Sequence, residues 1–252
     1  MVLQALKKQV VDKIKSSMKK LSLLLMSLVM TAGLYAQQVN DPNAEVREAK
    51  NFHGIHLSSA FDVYISQSNE EAVAVSAVEV KYREHITVEV KDGILYVGYD
   101  TKGLKWLRGN KKLKAYISFK QIDKLLISGA CDVFITGTLK ADDMVINLSG
   151  ASDLKGRIDV KKLSVDINGA SDITVSGNAP QLDVEASGAS NFRGYDLVTD
   201  VCDARASGAS DIKVTVNKEL SAHASGASDV RYKGNGVIRD IKSSGSSSIS
   251  RG

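Results

Sequence analysis

Residues 163–175 read LSVDINGASDITV, and this stretch determines the predicted fold. Apolar Leu163, Val165 and Ile167 alternate with polar residues, and the alternation continues beyond the phrase Asn-Gly-Ala-Ser-Asp with Ile173 and Val175. A period of two is typical of β-strands, in which successive side chains point to opposite faces. The stretch therefore predicts two strands that meet at a short corner, each with one apolar face.

The corner phrase returns along the rest of the chain. Its glycines are 21, 19, 19, 20, 18 and 19 residues apart, at Gly129, Gly150, Gly169, Gly188, Gly208, Gly226 and Gly245. Self-similarity at a near-constant period of this length is typical of a solenoid, in which each turn buries its apolar row on its neighbours. The sequence therefore predicts an all-β, single-domain parallel β-helix with turns of about 19–20 residues.

The alternation also assigns an orientation to each residue of the corner. We expect the glycine to point inward, where no side chain fits, together with the serine two positions later, whose place Cys131 takes in the first copy. The last residue of the phrase should point outward. Stacking then predicts an external row of like charges, one strand spacing apart and interrupted by Asn191, that consists of Asp132, Asp153, Asp172, Asp211 and Asp229.

This row of aspartates has two interpretations. The carboxylates are either solvated and hydrogen-bonded locally, or they hold cations, for which Asp153, Asp172, Asp211 and Asp229 are the calcium candidates. The nonapeptide pattern of calcium-binding β-rolls is absent, which favours solvated carboxylates. Calcium apart, we expect no cofactor.

The same row bears on enzymatic chemistry. Carboxylates about 5 Å apart would suit a retaining glycosidase, but acid–base catalysis needs two carboxylates in unlike environments, and near-identical repeats provide similar ones. No His-Glu-x-x-His, Gly-x-Ser-x-Gly or phosphate-binding glycine motif occurs. We therefore expect a protein that is not an enzyme, with a polysaccharide-acting β-helix enzyme or a purely structural envelope protein as alternatives.

A basic segment between residues 102 and 114 is the second candidate surface. It contains six Lys or Arg residues and the only Trp of the chain. Such a segment could bind anionic glycans, lipid head groups or phosphates, through Lys105, Trp106, Arg108, Lys111 and Lys112. The alternative is a solvated hairpin tip whose Trp106 covers the end of the solenoid.

The first 36 residues have the pattern of a signal peptide. Lys19 and Lys20 precede a short apolar run, and small residues end it at Ala36, so we expect cleavage there, with either Met1 or Met18 as the true start. The domain prediction is an extension and signal peptide (1–36), a linker (37–50) and the β-helix (51–252). We expect export to the periplasm, the outer-membrane surface or the medium, with no membrane span in the mature form.

Charge and cysteine content support this interpretation. Without residues 1–36, which carry six lysines and one aspartate, the net charge falls from +4 to −1, so no nucleic-acid partner is expected. Cys131 and Cys202 fall four turns apart, or about 19 Å at the spacing of paired strands, which is too far for a disulfide.

The N-terminal part is less regular. Residues 55–65 match residues 125–135 position by position, which predicts a first turn before a long insertion. Within that insertion, residues 71–75, 86–90 and 94–99 are predicted strands, and the last two form a hairpin through Asp92 and Gly93. We expect these strands to cap the first end of the solenoid.

At this point the chain resembles a known family, the putative auto-transporter adhesin, head GIN domain proteins. The resemblance covers about residues 50–250 and is carried by Phe52-His53-Gly54-Ile55, Phe61-Asp62-Val63-Tyr64-Ile65, Val90-Lys91-Asp92-Gly93-Ile94-Leu95 and Leu126-Ile127-Ser128-Gly129-Ala130 with the repeats after it. It implies a right-handed β-helix, export and an adhesive role, and no established catalytic residue. The expected partner is a cell-surface glycan or an envelope component, and an oligomer could form through the solenoid ends.

Overall fold

The computed structural model describes residues 41–102 and 111–252 of the 252-residue chain. The predicted signal peptide lies outside the described residues, and so do Lys105, Trp106 and Arg108 of the basic segment. Strands make up 64% of the described residues and helix 2%, and they form a β-solenoid of about 7 turns with about 19 residues per turn. The predicted parallel β-helix is confirmed.

The described residues contain short and long strands and a one-turn helix, α1 (Val80–Arg83). In chain order the strands are β1 (Glu45–Arg47), β2 (Gly54–Leu57), β3 (Asp62–Gln67), β4 (Ala72–Ser76), β5 (Ile86–Lys91), β6 (Ile94–Tyr99), β7 (Lys114–Phe119), β8 (Lys124–Ile127), β9 (Asp132–Leu148), β10 (Asp153–Ile167), β11 (Asp172–Asn178), β12 (Gln181–Ala186), β13 (Asn191–Ala206), β14 (Asp211–Ala224), β15 (Asp229–Lys233), β16 (Val237–Ser243) and β17 (Ser248–Arg251). Within this part of the chain, no helix has the length and apolar character that crossing a bilayer requires.

Successive repeats stack in parallel, and equivalent residues face one another. One inward row joins five consecutive turns through residues that are all completely buried, namely Leu154, Ile173, Phe192, Ile212 and Val230. Each apolar side chain in this row is covered by the turn above and the turn below. Burial of this kind contributes about 25 cal/mol per Å² of apolar surface, so each turn is stabilised mainly by its two neighbours.

The glycine of the corner phrase is the one residue whose predicted orientation is wrong. Ser152 and its equivalents as far as Ser228 are completely buried, as expected, but Gly150 and Gly169 are exposed on the outer side of the corner. Gly169 has a φ of 82°, and a Cβ added there would lie 2.4 Å from the carbonyl oxygen of Gly150. The left-handed conformation turns this one residue outward, whereas Ser171 and Ile173 beyond it keep the inward parity of Ile167.

Hydrogen bonds hold the corners together along the solenoid axis. The Ala170 amide donates to the Gly150 carbonyl at 2.7 Å, and the same bond recurs between later turns. Inside the corner, the hydroxyl of Ser210 lies 2.8 Å from the carbonyl oxygen of Ser207 and 2.9 Å from that of Ala186 in the preceding turn. The buried serines therefore have hydrogen-bond partners, which explains why polar residues are tolerated in the core.

The N-terminal insertion forms a cap and one additional turn. Strands β5 and β6 pair as the predicted antiparallel hairpin, and Asp92 and Gly93 at its tip both have positive φ, 50° and 73°. Strands β6 and β7 stack in parallel on β2 and β3, whose other edges pair with β8 and β9. The first turn in the sequence is therefore enclosed between two later ones.

Beyond this additional turn, antiparallel strands close the core. Strand β4 pairs with β7 and with β1, which lies in the stretch expected to be a linker. Tyr82 of α1 and Ile86 of β5 are buried, and Val88 and Val90 pack partly buried against the core. The expected cap at the first end is thus present.

The two cysteines are free and buried, so we predict that the protein forms no intramolecular disulfide. Burial raises the pKa of both the Cys131 and the Cys202 thiol, which keeps them protonated and slow to react in the native state. Denatured, unreduced protein should therefore react with two equivalents of a thiol reagent, and reductant should not change the melting temperature. A monomer with no titratable thiol would contradict the register described above.

Candidate functional site

An outer row of acidic residues, here called the acidic row, runs the length of the solenoid. In spatial order the register aligns Lys114, Asp62, Asp132, Asp153, Asp172, Asn191, Asp211, Asp229 and Ser248. The five aspartates singled out from the sequence all lie in this row, outside the core. Asp62 joins them because the first turn stacks directly on the turn that contains Asp132.

A second outward row lies two residues further along each strand, on the same face of the sheet. Its members, here called the mixed row, are Tyr116, Tyr64, Phe134, Lys155, Thr174, Arg193, Lys213, Arg231 and Ser250. The row is aromatic over the first three turns and mainly cationic over the later ones. The two rows together form one continuous outer face with a polar side chain at every turn.

Cations of the mixed row neutralise part of the acidic row. Arg193 lies 2.8 Å from Asp172 and Arg231 lies 2.9 Å from Asp229. Asn191 also donates to Asp172, at 2.6 Å. Burial alone would raise the pKa of Asp172, but the hydrogen bonds from Asn191 and Arg193 outweigh it and hold this pKa below its usual value. Asp172 is therefore ionised at neutral pH and already has two partners.

Other members of the acidic row remain available. Within residues 41–102 and 111–252, the carboxylates of Asp62, Asp132 and Asp211 make no salt bridge, and that of Asp153 has only a long one, 3.5 Å to Lys155. Exposed pairs of this kind contribute little to stability, because water and salt screen them. The sequence predicted similar environments for all of these carboxylates, but the described row contains both paired and unpaired groups.

We predict that calcium leaves the melting temperature of residues 41–252 unchanged. In the part of the chain that the structure describes, no group of three or more His, Cys, Asp or Glu side chains could hold a metal ion. A cation that bound the native state alone would raise the melting temperature. A rise in millimolar calcium that Asp153→Asn and Asp211→Asn abolish would instead establish a calcium site in the acidic row.

Three stacked aromatic rings form the start of the mixed row, which the sequence interpretation missed. The Tyr64 ring stacks on Tyr116 with centroids 5.5 Å apart and on Phe134 at 5.4 Å. The Tyr116 hydroxyl donates to Asp41 at 2.9 Å, and burial, with this bond, raises its pKa. Such pairs contribute about 0.5–1.5 kcal/mol each beyond their buried area, so the stack fastens the first three turns together.

Of the basic segment, the structure describes Lys102 and residues 111–114, so the hairpin tip expected around Trp106 falls outside the described residues. The flanking strands β6 and β7 stack on β2 and β3, and in the described residues they do not pair with each other. Lys111 and Lys112 line a groove with Ser59, Ala130 and Asp62, and the Lys111 ammonium lies 5.3 Å from the centroid of the Tyr99 ring. At this groove Lys111 and Lys112 of the basic segment lie near Asp62, which belongs to the acidic row.

A second groove, of about 570 Å³, opens on another side of the solenoid. Its lining includes Asp123, Asp142 and Asp143, and the His53 imidazole lies 3.1 Å from Asp123. His53 and Asp123 are both more than half exposed, and Asp142 forms a salt bridge of 2.8 Å with Lys161. The described lining contains no Ser, Thr, Cys or Tyr nucleophile, so the groove lacks the constellation of a hydrolytic triad.

Comparison with known proteins gives one family and several structures. Residues 51–236 match the family described as "Putative auto-transporter adhesin, head GIN domain". A putative adhesin from Bacteroides fragilis NCTC 9343 superimposes with a TM-score of 0.78 at 23% identity, over 82% of this chain and 95% of that one. No curated protein is significantly similar to this chain.

Two further solved structures share the fold. A putative lipid binding protein from Parabacteroides distasonis ATCC 8503 superimposes with a TM-score of 0.64 at 20% identity, over 84% of this chain and 98% of that one. A putative adhesin from Parabacteroides merdae ATCC 43184 gives 0.60 at 17% identity, over 83% and 95%. At these identities the likeness establishes the fold and carries no binding residue over to this chain.

Proposed function

Because this chain belongs to the putative auto-transporter adhesin, head GIN domain family, we propose that it is an exported, non-enzymatic adhesin module. Its partner is an extended, repetitive polysaccharide of the cell surface or envelope. The observation that supports this proposal best is the register of the outer face, in which the acidic and mixed rows place a polar side chain at every turn. A polymer with a regular repeat can contact many turns at once.

The energetics of such a face favour an extended partner over a small ligand. Each exposed carboxylate or guanidinium binds weakly, because water competes for it. Contacts with one polymer chain become effectively intramolecular after the first, so many weak contacts add up to a useful affinity. The alternating charge of the two rows suits a polysaccharide that carries hydroxyl groups with carboxylates or sulfates, because Arg193, Lys213 and Arg231 can pair with its anions.

The binding test compares two sets of substitutions in residues 41–252, which form a compact unit. Wild-type protein should be retained on acidic polysaccharides, and salt should weaken the retention. The triple change Arg193→Ser, Lys213→Ser and Arg231→Ser should reduce retention about tenfold or more, on the scale of about 1.4 kcal/mol per tenfold. The matched control, Lys161→Ser, Lys162→Ser and Lys218→Ser, removes the same charge from other strand segments and should change retention little.

A second set of substitutions tests whether the basic segment binds the polysaccharide. If the segment contributes to binding, then replacing Lys105, Arg108, Lys111 and Lys112 with Ser should lower retention further, and unchanged retention would remove it from the binding surface. Since one structural neighbour is named a putative lipid binding protein, vesicles with anionic lipid serve as the competing ligand in the same assay. Binding to vesicles alone would contradict the polysaccharide proposal.

The same assay distinguishes the proposed adhesin from the two alternatives, a polysaccharide-acting enzyme and a purely structural envelope protein. An enzyme would shorten the polysaccharide over time, and one substitution, such as Asp132→Asn in the acidic row or Asp123→Asn in the second groove, would abolish the turnover. A purely structural envelope module would bind neither polysaccharides nor vesicles. Either result would overturn the proposed function.

A further inference from the structure

At the last turn of the solenoid, no described strand covers the apolar core. Strand β16 pairs only with β14, and β17 only with β15, within the residues that the structure describes. The inward rows end at Ile238, Ile241 and Ile249, which stack on buried residues of the turn before. Ile238 is 45% exposed and Ile241 is 38% exposed, whereas the residues that they cover are at most 1% exposed.

The first end of the solenoid differs in this respect. There the core is closed by Tyr82 and Ile86, which are both 5% exposed, and by the partly buried Val88 and Val90. The outer edge of the cap is formed by β1, a strand of only three residues, and by β5, which carries Glu89 and Lys91 on its exposed face. Short and charged edges of this kind resist pairing with other strands. The described chain therefore has one open core end.

We propose that this open end binds a second copy of the chain, tail to tail. A surface that occurs once per molecule can meet itself through a two-fold axis, which closes the assembly at a dimer. A head-to-tail contact would need a second, complementary end and would continue into a filament. The proposal concerns the end of the solenoid and does not depend on the proposed function.

The backbone of β16 presents the groups that such a dimer needs. The Ser244 amide donates to the Ala224 carbonyl of β14 at 3.1 Å, and successive residues of a strand direct their amide and carbonyl groups to opposite edges. The polar backbone groups of Ile241 and Ser243 are therefore directed to the open edge. A two-fold axis that passes beside Ile241 would pair this residue with Ile241 of the second copy through two backbone hydrogen bonds.

The side chains of β16 are self-complementary in this antiparallel register. Asp240 would lie opposite Lys242 of the second copy, and Lys242 opposite its Asp240. Within one chain the Asp240 carboxylate already lies 2.8 Å from Lys242 and 2.9 Å from His223, so the carboxylate and the ammonium are both on the outward face. On the inward face, Ile241 would extend the core across the interface. Charge and apolar surface thus match in the same register.

The oligomeric state of residues 41–252 tests the proposal, measured by sedimentation or light scattering from about 1 to about 100 µM protein. We expect a dimer for the wild type and a folded monomer for Ile241→Lys. The matched control is Val201→Lys, which changes an equally exposed apolar residue on the side of the solenoid, 42% exposed. This control should remain dimeric. Circular dichroism of each variant establishes that it is folded.

A charge exchange provides the second measurement, because it needs no apolar substitution. Asp240→Lys makes both facing positions basic, and Lys242→Asp makes both acidic, so each variant alone should dimerise at least tenfold more weakly. Mixed in equal amounts, the two variants should recover the dimer, since each Lys then faces an Asp. A purely local effect on β16 would not be repaired by mixing.

Three results would overturn the proposal. The first is a monomeric wild type at every concentration. The second is a dimer that Val46→Lys in the cap disrupts and Ile241→Lys does not, which would place the interface at the other end. The third is an assembly that keeps growing with concentration, because one open end per chain allows only a dimer.

Discussion

Gly169→Ala is expected to destabilise residues 41–252 by about 2–5 kcal/mol, although it adds a single methyl group. The new Cβ would lie 2.4 Å from the Gly150 carbonyl oxygen and 3.0 Å from the Gly150 amide nitrogen. Both belong to the backbone of the neighbouring turn, so no side chain can move to make room. Overpacking contributes about 1–3 kcal/mol and the φ of 82° about 1–2 kcal/mol more. Urea denaturation of both proteins measures the difference.

Gly137 supplies the matched control, because it separates the cost of the positive φ from the cost of overpacking. Its φ is 80°, nearly the same as that of Gly169, but a Cβ at this position would meet no atom within 4 Å. Gly137→Ala should therefore show only the conformational cost, about 1–2 kcal/mol. Equal losses in the two variants would show that the backbone conformation, and not the close stacking of turns, requires the corner glycines.

Ile173→Asp should unfold the domain at ambient temperature, at a cost of about 4 kcal/mol or more. Ile173 is completely buried between Leu154 and Phe192, so the new carboxylate would have neither water nor a cation beside it. A buried, unpaired charge is among the few causes of so large a loss. Far-ultraviolet circular dichroism and the denaturant midpoint report the outcome.

Thr174 provides the matched control for Ile173→Asp. Thr174→Asp introduces the same side chain one position later, on the exposed face between Lys155 and Arg193. Because both neighbours are cations, this variant should be as stable as the wild type to within about 0.5 kcal/mol. A folded Ile173→Asp protein, or an unfolded Thr174→Asp protein, would contradict the assignment of inward and outward rows.

The repeat made much of this fold predictable from the sequence. The period of the corner phrase fixes the turn length. A one-residue slip in strand pairing would move Leu163, Val165 and Ile167 out of the core, so no other register is of similar stability. The same argument placed Asp153 and Asp172 in one outward row. These inferences succeeded because each depends only on contacts between adjacent, similar turns.

One prediction was wrong and one feature was missed, because the alternation of apolar and polar residues along a strand does not record either of them. Gly169 was assigned inward with the other residues of its parity, but its positive φ takes this one residue out of the inward row. The stack of Tyr64, Tyr116 and Phe134 was missed because Tyr116 belongs to the additional turn, which lacks the corner phrase. The shared pair Tyr-Ile at residues 64–65 and 116–117 was the available signal.

The enclosed position of the first turn affects the order in which the chain can fold. Regular turns meet partners about 19 residues away, whereas Ile55 of β2 pairs with Leu125, which follows 70 residues later. Closing the longer loop costs about 1 kcal/mol more in free energy, because the chain loses more entropy before any contact can offset this cost. During synthesis, the start of the chain must also wait for residues 124–135 to emerge. We therefore expect residues 128–251 to form the folding nucleus, onto which the N-terminal turns and the cap dock last.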